Sequence, residues 1–180
     1  MRAYYESVAP GEENPRTLRR RGTALANRGQ DLVAQGDLAA AAEFLRAAKA
    51  IGERLVSLQP DGMKGQKNLA AIHGDLGDIA ARQNDLARAL EEQQSASEIL
   101  EAAAASGHRT ELAYDIATSA YKLGKLDMQQ GRTAAATAAF QRAILGYEEM
   151  LHVSPQFPCK IEMMAALNGL GEAERNSGKA

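Results

Sequence analysis

Three histidines and one cysteine are the side chains of this sequence best suited to metal binding or nucleophilic catalysis. His73, His108 and His152 lie far apart in the chain, and none is four residues from another metal-type ligand, as a helical metal motif requires. Cys159 follows Pro158 at a predicted helix start, where a thiol pKa falls, but no partner base is recognisable. We therefore expect Cys159 to be a small structural residue. The sequence predicts no catalytic residues, no metal, no cofactor and no enzyme activity.

Two further patterns resemble functional motifs but are better explained by helices. Gly169-Leu170-Gly171 has the spacing of a phosphate loop, yet no strand precedes it and the pattern around it is helical. The acidic pairs Glu91-Glu92 and Glu148-Glu149 are adjacent in sequence, so their members point in different directions on a helix. We expect these acids to be solvated.

A basic cluster opens the first predicted helix. It consists of Arg16, Arg19, Arg20 and Arg21, with Arg28 further along. Contact with phosphates or with an acidic partner is one interpretation, but no aromatic residues are interleaved as in single-strand binders. The chain has a net charge of −2 and so carries no overall basic field. Nucleic-acid binding is therefore not expected, and the cluster is interpreted as a solvated helix face.

The composition favours helices packed closely on one another. Hydrophobic residues make up 45% of the chain, but only 4% of residues are aromatic and tryptophan is absent, so alanine and leucine must form the core. One cysteine excludes a disulfide within the chain. No apolar run has the length of a secretory signal core or a membrane span. A cytoplasmic protein without a membrane segment is the expectation.

A repeat underlies these helices. Aligned segments place Gly29, Gly77, Gly124 and Gly171 in register, at successive separations of 48, 47 and 47. The same alignment brings two sets of alanines into register after the first three glycines: Ala41, Ala89 and Ala136, then Ala48, Ala96 and Ala143. Such small residues at fixed points allow two helix backbones to approach closely.

Each repeat is predicted to be a helix, a tight turn and a second helix. Gly36, Asn84 and Gly131 are residue types that adopt the left-handed conformation ending a helix. Asp37 and Asp85 follow two of them and can cap the next helix. In the second repeat a break at Ser106-Gly107-His108 stands where Pro60 and Pro155 lie in the other two.

Together these features resemble the tetratricopeptide repeat. The resemblance depends on Leu76-Gly77, Leu123-Gly124 and Leu170-Gly171, on the alanine pairs, on Phe140 between two of them, and on the loop prolines. The usual repeat has about 34 residues, so the additional residues must lengthen the helices. This longer period is similar to the extended arrays of large bacterial multidomain proteins. The resemblance implies an all-α, right-handed α-α superhelix, a solenoid of about seven helices.

The repeat also predicts the division of the chain. Residues 15–61, 62–108 and 109–157 are expected to form three complete repeats, and residues 158–180 a half repeat that caps the solenoid. Residues 1–14 are expected to contain the tail of a preceding helix and a loop. This division favours a fragment of a longer array or the C-terminal part of a larger protein.

In tetratricopeptide arrays the first helix of each repeat lines a concave groove. The resemblance therefore implies partner contacts from positions on those helices that face away from the Leu-Gly packing face. These positions are Gln30, Val33, Asp78, Arg82, Tyr121, Lys125, Met128, Gln129, Asn168 and Arg175.

Two functions remain open at this point. The first is a scaffold that binds a protein or peptide in the groove, as part of a larger bacterial regulatory or signalling protein. The alternative is a self-association module that forms homo-oligomers through exposed solenoid ends. A molecular mass that rises with protein concentration, measured by light scattering, would favour the self-association module. The identity of a partner does not follow from the residues, since a fold does not determine a ligand.

Overall fold

The computed structural model describes residues 14–178, and these form seven α-helices and one short π-helical turn. The predicted all-α fold of about seven helices in a repeat arrangement is confirmed. The predicted helix tail at residues 1–9 lies outside the described residues. The helices are α1 (Pro15–Gln35), α2 (Leu38–Leu58), α3 (Met63–Arg82), α4 (Leu86–Ala103), α5 (Arg109–Gln129), α6 (Thr133–Val153) and α7 (Lys160–Asn176).

The helices alternate between two roles, as the repeat predicts. We call α1, α3, α5 and α7 the first helices and α2, α4 and α6 the second helices. The first six contain between 18 and 21 residues each, so the long period does lengthen the helices. Each helix packs mainly on its neighbours in sequence, while α1 also contacts α3 and α5 contacts α7.

The tight turns inside the helix pairs have the predicted geometry. Gly36, Asn84 and Gly131 all have positive φ angles, of 84°, 62° and 71°. The side chain of Asp37 accepts a hydrogen bond from the Ala40 amide at 3.0 Å, and that of Asp85 accepts one from the Arg88 amide at 3.1 Å. Both aspartates therefore cap the second helices that follow them.

Small residues hold each first helix against its second helix. A Cβ placed on Gly29 would lie 2.7 Å from Leu45, and one on Gly124 would lie 2.7 Å from Phe140. A Cβ placed on Gly77 would lie 3.2 Å from the Ala89 carbonyl oxygen. These contacts confirm the glycine register, because equivalent glycines meet equivalent places on the second helices.

The break between α4 and α5 is a π-helical turn at Ala104–His108. Gly107 has a φ of 102°, which a residue with a side chain rarely adopts. The chain therefore changes direction here at Gly107, the central residue of the predicted Ser106-Gly107-His108 break. No helix among the described residues is long and apolar enough to cross a bilayer.

Candidate functional site

Six of the ten predicted contact residues line one open groove between α5 and α7. Its volume is about 800 Å³, and Phe140 of α6 lies at its base. Because α5 and α7 are successive first helices, this is the face on which the repeat predicts a partner. The six residues are Tyr121, Lys125, Met128, Gln129, Asn168 and Arg175.

The groove combines an aromatic base with charged edges. The rings of Tyr121 and Phe140 lie 6.0 Å apart between centroids at an angle of 49°. The Lys125 ammonium lies 5.7 Å from the Tyr121 ring centroid, a distance at which cation and ring attract each other. Glu172 and Arg175 of α7 also line the groove and supply one charge of each sign. The site therefore offers apolar contact and hydrogen bonds side by side.

Two of the other predicted residues are engaged in contacts between first helices. Gln30 of α1 donates a hydrogen bond from Nε2 to Asp75 Oδ2 of α3, at 2.9 Å. Asp78 of α3 accepts one from the Lys122 ammonium of α5, at 2.7 Å. These side chains hold adjacent repeats together, which the sequence analysis did not foresee.

The remaining two predicted residues lie away from the α5–α7 groove. Val33 is half-buried and packs against the core shared by α1, α2 and α3. Arg82 is in the last turn of α3 and is exposed. Neither lines the groove, so the structure concentrates the candidate contacts towards the C-terminal end of the array.

Asp75 is a half-buried carboxyl group on the first helix α3. Burial raises its pKa above the ordinary value, although the Gln30 hydrogen bond and the positive charge of Lys122 act in the opposite direction. Burial therefore disfavours the charged form of Asp75 more than Gln30 and Lys122 together favour it.

One buried polar cluster was missed by the sequence analysis. His73 Nδ1 lies 2.7 Å from Glu92 Oε2, and both residues are buried between α3 and α4. Lys49 of α2 approaches the same oxygen at 3.4 Å. The expectation that Glu92 is solvated is thus wrong, because the packing of α4 on α3 turns this glutamate inward while Glu91 stays exposed.

The missed cluster has one sequence signal. His73 is on the face of α3 that carries the Leu76-Gly77 pair, so a buried partner could have been sought on the helix that covers it. A second buried pair, Gln93 Nε2 donating to Ser119 Oγ at 3.1 Å, joins α4 to α5 in the same way. These groups satisfy one another, as buried polar groups require.

The side chains best suited to catalysis or metal binding do not come together in one site among the described residues. Cys159 is fully buried before α7, and burial raises the pKa of its thiol. A raised thiol pKa disfavours the reactive thiolate. Between residues 14 and 178, no three His, Cys, Asp or Glu side chains form a group that could hold a metal ion.

Part of the chain is similar to a known repeat family. Residues 21–61, which cover most of α1 and all of α2, match the tetratricopeptide repeat family. The chain carries a tetratricopeptide repeat. Over these residues, the match confirms the tetratricopeptide resemblance predicted from the glycine and alanine register. No curated protein sequence matches the chain.

Among solved structures, the crystal structure of BtubC (BKLC) from P. vanneervenii is similar to this chain. It aligns with a TM-score of 0.69 and 17% identity, over 97% of this chain and 61% of that one. At this identity the likeness shows the fold alone, and the chain spans 61% of the length of that structure. A structure described as the DHF119 filament aligns with a TM-score of 0.40 and 18% identity, over 91% of this chain and 83% of that one.

Proposed function

We propose that this protein is an interaction scaffold that binds a segment of a protein partner in the groove between α5 and α7. Tetratricopeptide repeats generally mediate protein–protein interaction. The observation that carries the proposal is that two successive first helices place six predicted contact residues around one open groove. Catalysis has no part in the proposal, since the family typically provides non-enzymatic scaffolds.

The groove chemistry favours a segment with apolar side chains next to acidic ones. Tyr121, Met128 and Phe140 provide adaptable apolar and aromatic surface, the kind that dominates binding energy at interfaces. Lys125 and Arg175 provide cations for a carboxylate. Asn168 can pair with the backbone of an extended peptide, because its amide both donates and accepts hydrogen bonds.

The proposal is tested by capturing partners on the immobilised protein from a lysate of its source organism. The groove variant carries Tyr121→Ala and Lys125→Glu. Its matched control carries Arg142→Glu, which makes the same charge reversal at an exposed position of α6 outside the groove. All three proteins must first show the same helical circular dichroism. We expect one protein to be retained by the wild type and by the control and lost with the groove variant.

The other outcomes would contradict the proposal in different ways. A protein retained equally by all three would bind outside the groove. Retention by none would leave the scaffold role without a ligand, and light scattering would then decide whether the protein associates with itself. A separate Arg82→Glu variant tests whether the contact extends to α3, where this residue is exposed.

A further inference from the structure

A narrow cavity lies between the first helices α1 and α3, with α2 at its base. Its volume is about 140 Å³. A cavity of roughly 150 Å³ can hold one benzene molecule, so this space has the size of one side chain. We call it the α1–α3 slot and define it by five small residues and one acid: Gly22, Ala26, Gly52, Gly65, Ala71 and Asp75.

Two glycines that line the slot stand where the next repeat has leucines. Leu100 and Leu112 are buried together in one core. The residues in the same register one repeat earlier are Gly52 and Gly65. Leu69 takes part of the space at Gly52, where a Cβ would lie 3.0 Å from its Cδ1, but a Cβ on Gly65 would meet nothing closer than 3.7 Å. The slot is therefore space that the next repeat fills with its own side chains.

Asp75 lies in the slot without a cation bound to it. Its Oδ2 accepts a hydrogen bond from Gln30 at 2.9 Å, and no cation among the described residues forms an ion pair with it. Lys122, whose charge acts on Asp75, is itself bound to Asp78 at 2.7 Å. Burial raises the pKa of Asp75 in spite of these neighbours. A cation placed in the slot would therefore stabilise the carboxylate.

The interface between α3 and α5 shows how acids between first helices are paired in this array. Lys122 binds Asp78 at 2.7 Å, and Lys67 binds Asp115 at the same distance. Both pairs join a lysine ammonium to an aspartate on the neighbouring first helix. In the register of the first pair, the interface between α1 and α3 has an amide and an acid instead of two opposite charges. Asp75 is thus an acid of this kind that lacks a lysine.

The surrounding charges also favour a cationic occupant. Asp75, Asp78 and Lys122 together carry one negative charge. Arg19 lines the slot too, but it is eleven residues from Gln30 on α1, which is about 16 Å along a helix. That distance exceeds the screening length of about 8 Å at physiological salt. A carboxylate would be repelled by Asp75, and an apolar side chain would remove water from it without a replacement.

We infer that the α1–α3 slot binds a lysine side chain of a partner protein, with its aliphatic stem along Gly22 and Ala71 and its ammonium on Asp75. The flexible four-carbon stem of lysine suits walls of small residues. The ammonium supplies the charge-assisted hydrogen bond that Asp75 lacks. No slot residue lines the α5–α7 groove, so this inference does not depend on the proposed function.

The test titrates two blocked tripeptides into the nitrogen-15-labelled full chain and follows the amide signals by NMR. One peptide has lysine between two alanines, and the other has norleucine there, which has a similar stem without the charge. We expect the lysine peptide to bind saturably and to shift the signals of slot residues. The norleucine peptide should bind more weakly by about tenfold or more, because it leaves the carboxylate without a partner.

Two variants with matched controls separate the charge from the shape of the slot. Asp75→Asn should weaken binding of the lysine peptide by about tenfold or more, whereas Asp31→Asn removes an exposed acid of α1 outside the slot and should not. Ala71→Leu fills the slot from an exposed position and should abolish binding. Ala87→Leu makes the same change at an exposed position of α4 and should not. Matching helical circular dichroism establishes that all four variants fold.

Three results would overturn the inference. Equal binding of the two peptides would show that the charge of Asp75 has no part in recognition. Signal shifts confined to other regions, or no saturable shift, would show that the slot is not a lysine site. The third is a nuclear Overhauser contact to Gly22 or Ala71, in the protein without peptide, from residues of this chain outside 14–178. The occupant would then be part of the chain itself.

Discussion

Glycines at equivalent positions of the repeats differ in how closely the surrounding side chains pack against them. Gly124 is pressed against the buried ring of Phe140, whereas Gly171 faces only the end of the Arg175 side chain. Gly124→Ala should destabilise the protein by about 1–3 kcal/mol, because the methyl overpacks the α5–α6 contact. Gly171→Ala should stabilise it by about 0.5–1 kcal/mol through helix propensity alone. Urea denaturation of both variants measures the difference.

The two glycine variants serve as controls for each other, since both remove the same backbone freedom from a helix interior. Equal effects of the two substitutions would mean that Phe140 does not hold Gly124 closely. A destabilising Gly171→Ala would mean that Gly171 is packed closely against another part of the protein.

Asp75 predicts a pH-dependent stability. Its folded pKa is raised by burial, so the folded state holds the proton more tightly than the unfolded chain, and stability falls as pH rises through the folded pKa. Asp75→Asn keeps an oxygen for the Gln30 hydrogen bond but has no charge to bury. The variant should melt at a higher temperature than the wild type at pH 7. That advantage should vanish below the ordinary pKa of 3.8, where both states of the acid are protonated.

Scanning calorimetry between pH 3 and 7 separates this effect from a general gain in stability. An advantage of Asp75→Asn that is the same at every pH would contradict the burial argument. A less stable variant at pH 7 would mean that the charge attraction to Lys122 outweighs the burial cost.

At the scale of the helix, small residues set how closely a pair can pack. Ala89 is fully buried where α4 crosses α3, while Ala87, two residues before it on the same helix, is exposed. Ala89→Leu should lower the free energy of unfolding by about 1–3 kcal/mol, since the added carbons have no space. Ala87→Leu makes the same substitution at a solvent-exposed position and should change the free energy of unfolding by less than about 0.5 kcal/mol. Thermal melts of both variants give the comparison, and equal losses would contradict the predicted register.

The helices could be predicted because their signals are local. Turn glycines, capping aspartates and alanine spacing all act within one helix pair, and they recur from repeat to repeat. The contact between Glu92 and His73 depends instead on how α4 rotates against α3. As a result, Glu91 is exposed while the adjacent Glu92 is buried. The spacing of residues along the chain does not reveal this difference.

The candidate site was predicted only in part for a related reason. The repeat register shows that Tyr121 and Asn168 are equivalent and therefore neighbours on successive first helices. It does not show which polar residues between those helices will pair. The register predicts that Gln30 and Asp78 face the groove, but that same direction brings them to Asp75 and Lys122.

For the whole molecule, packing between sequence neighbours implies that the two ends unfold with some independence. Each helix contacts mainly the next, so stability resembles a chain of local interfaces. Cys159 lies buried in the core shared by α5, α6 and α7 and is the only cysteine of the sequence. Its labelling by a thiol reagent therefore reports when the C-terminal end opens.

Two substitutions at opposite ends distinguish local opening from complete unfolding. Ala173→Gly weakens α7, where Ala173 packs on Phe140, and should speed Cys159 labelling about fivefold for a loss of about 1 kcal/mol. Leu25→Ala removes a buried side chain from the first pair and should cost about 2–5 kcal/mol there. If the C-terminal end opens by itself, Leu25→Ala leaves the labelling rate unchanged despite its larger cost. If the chain unfolds as one unit, Leu25→Ala must accelerate labelling more than Ala173→Gly does.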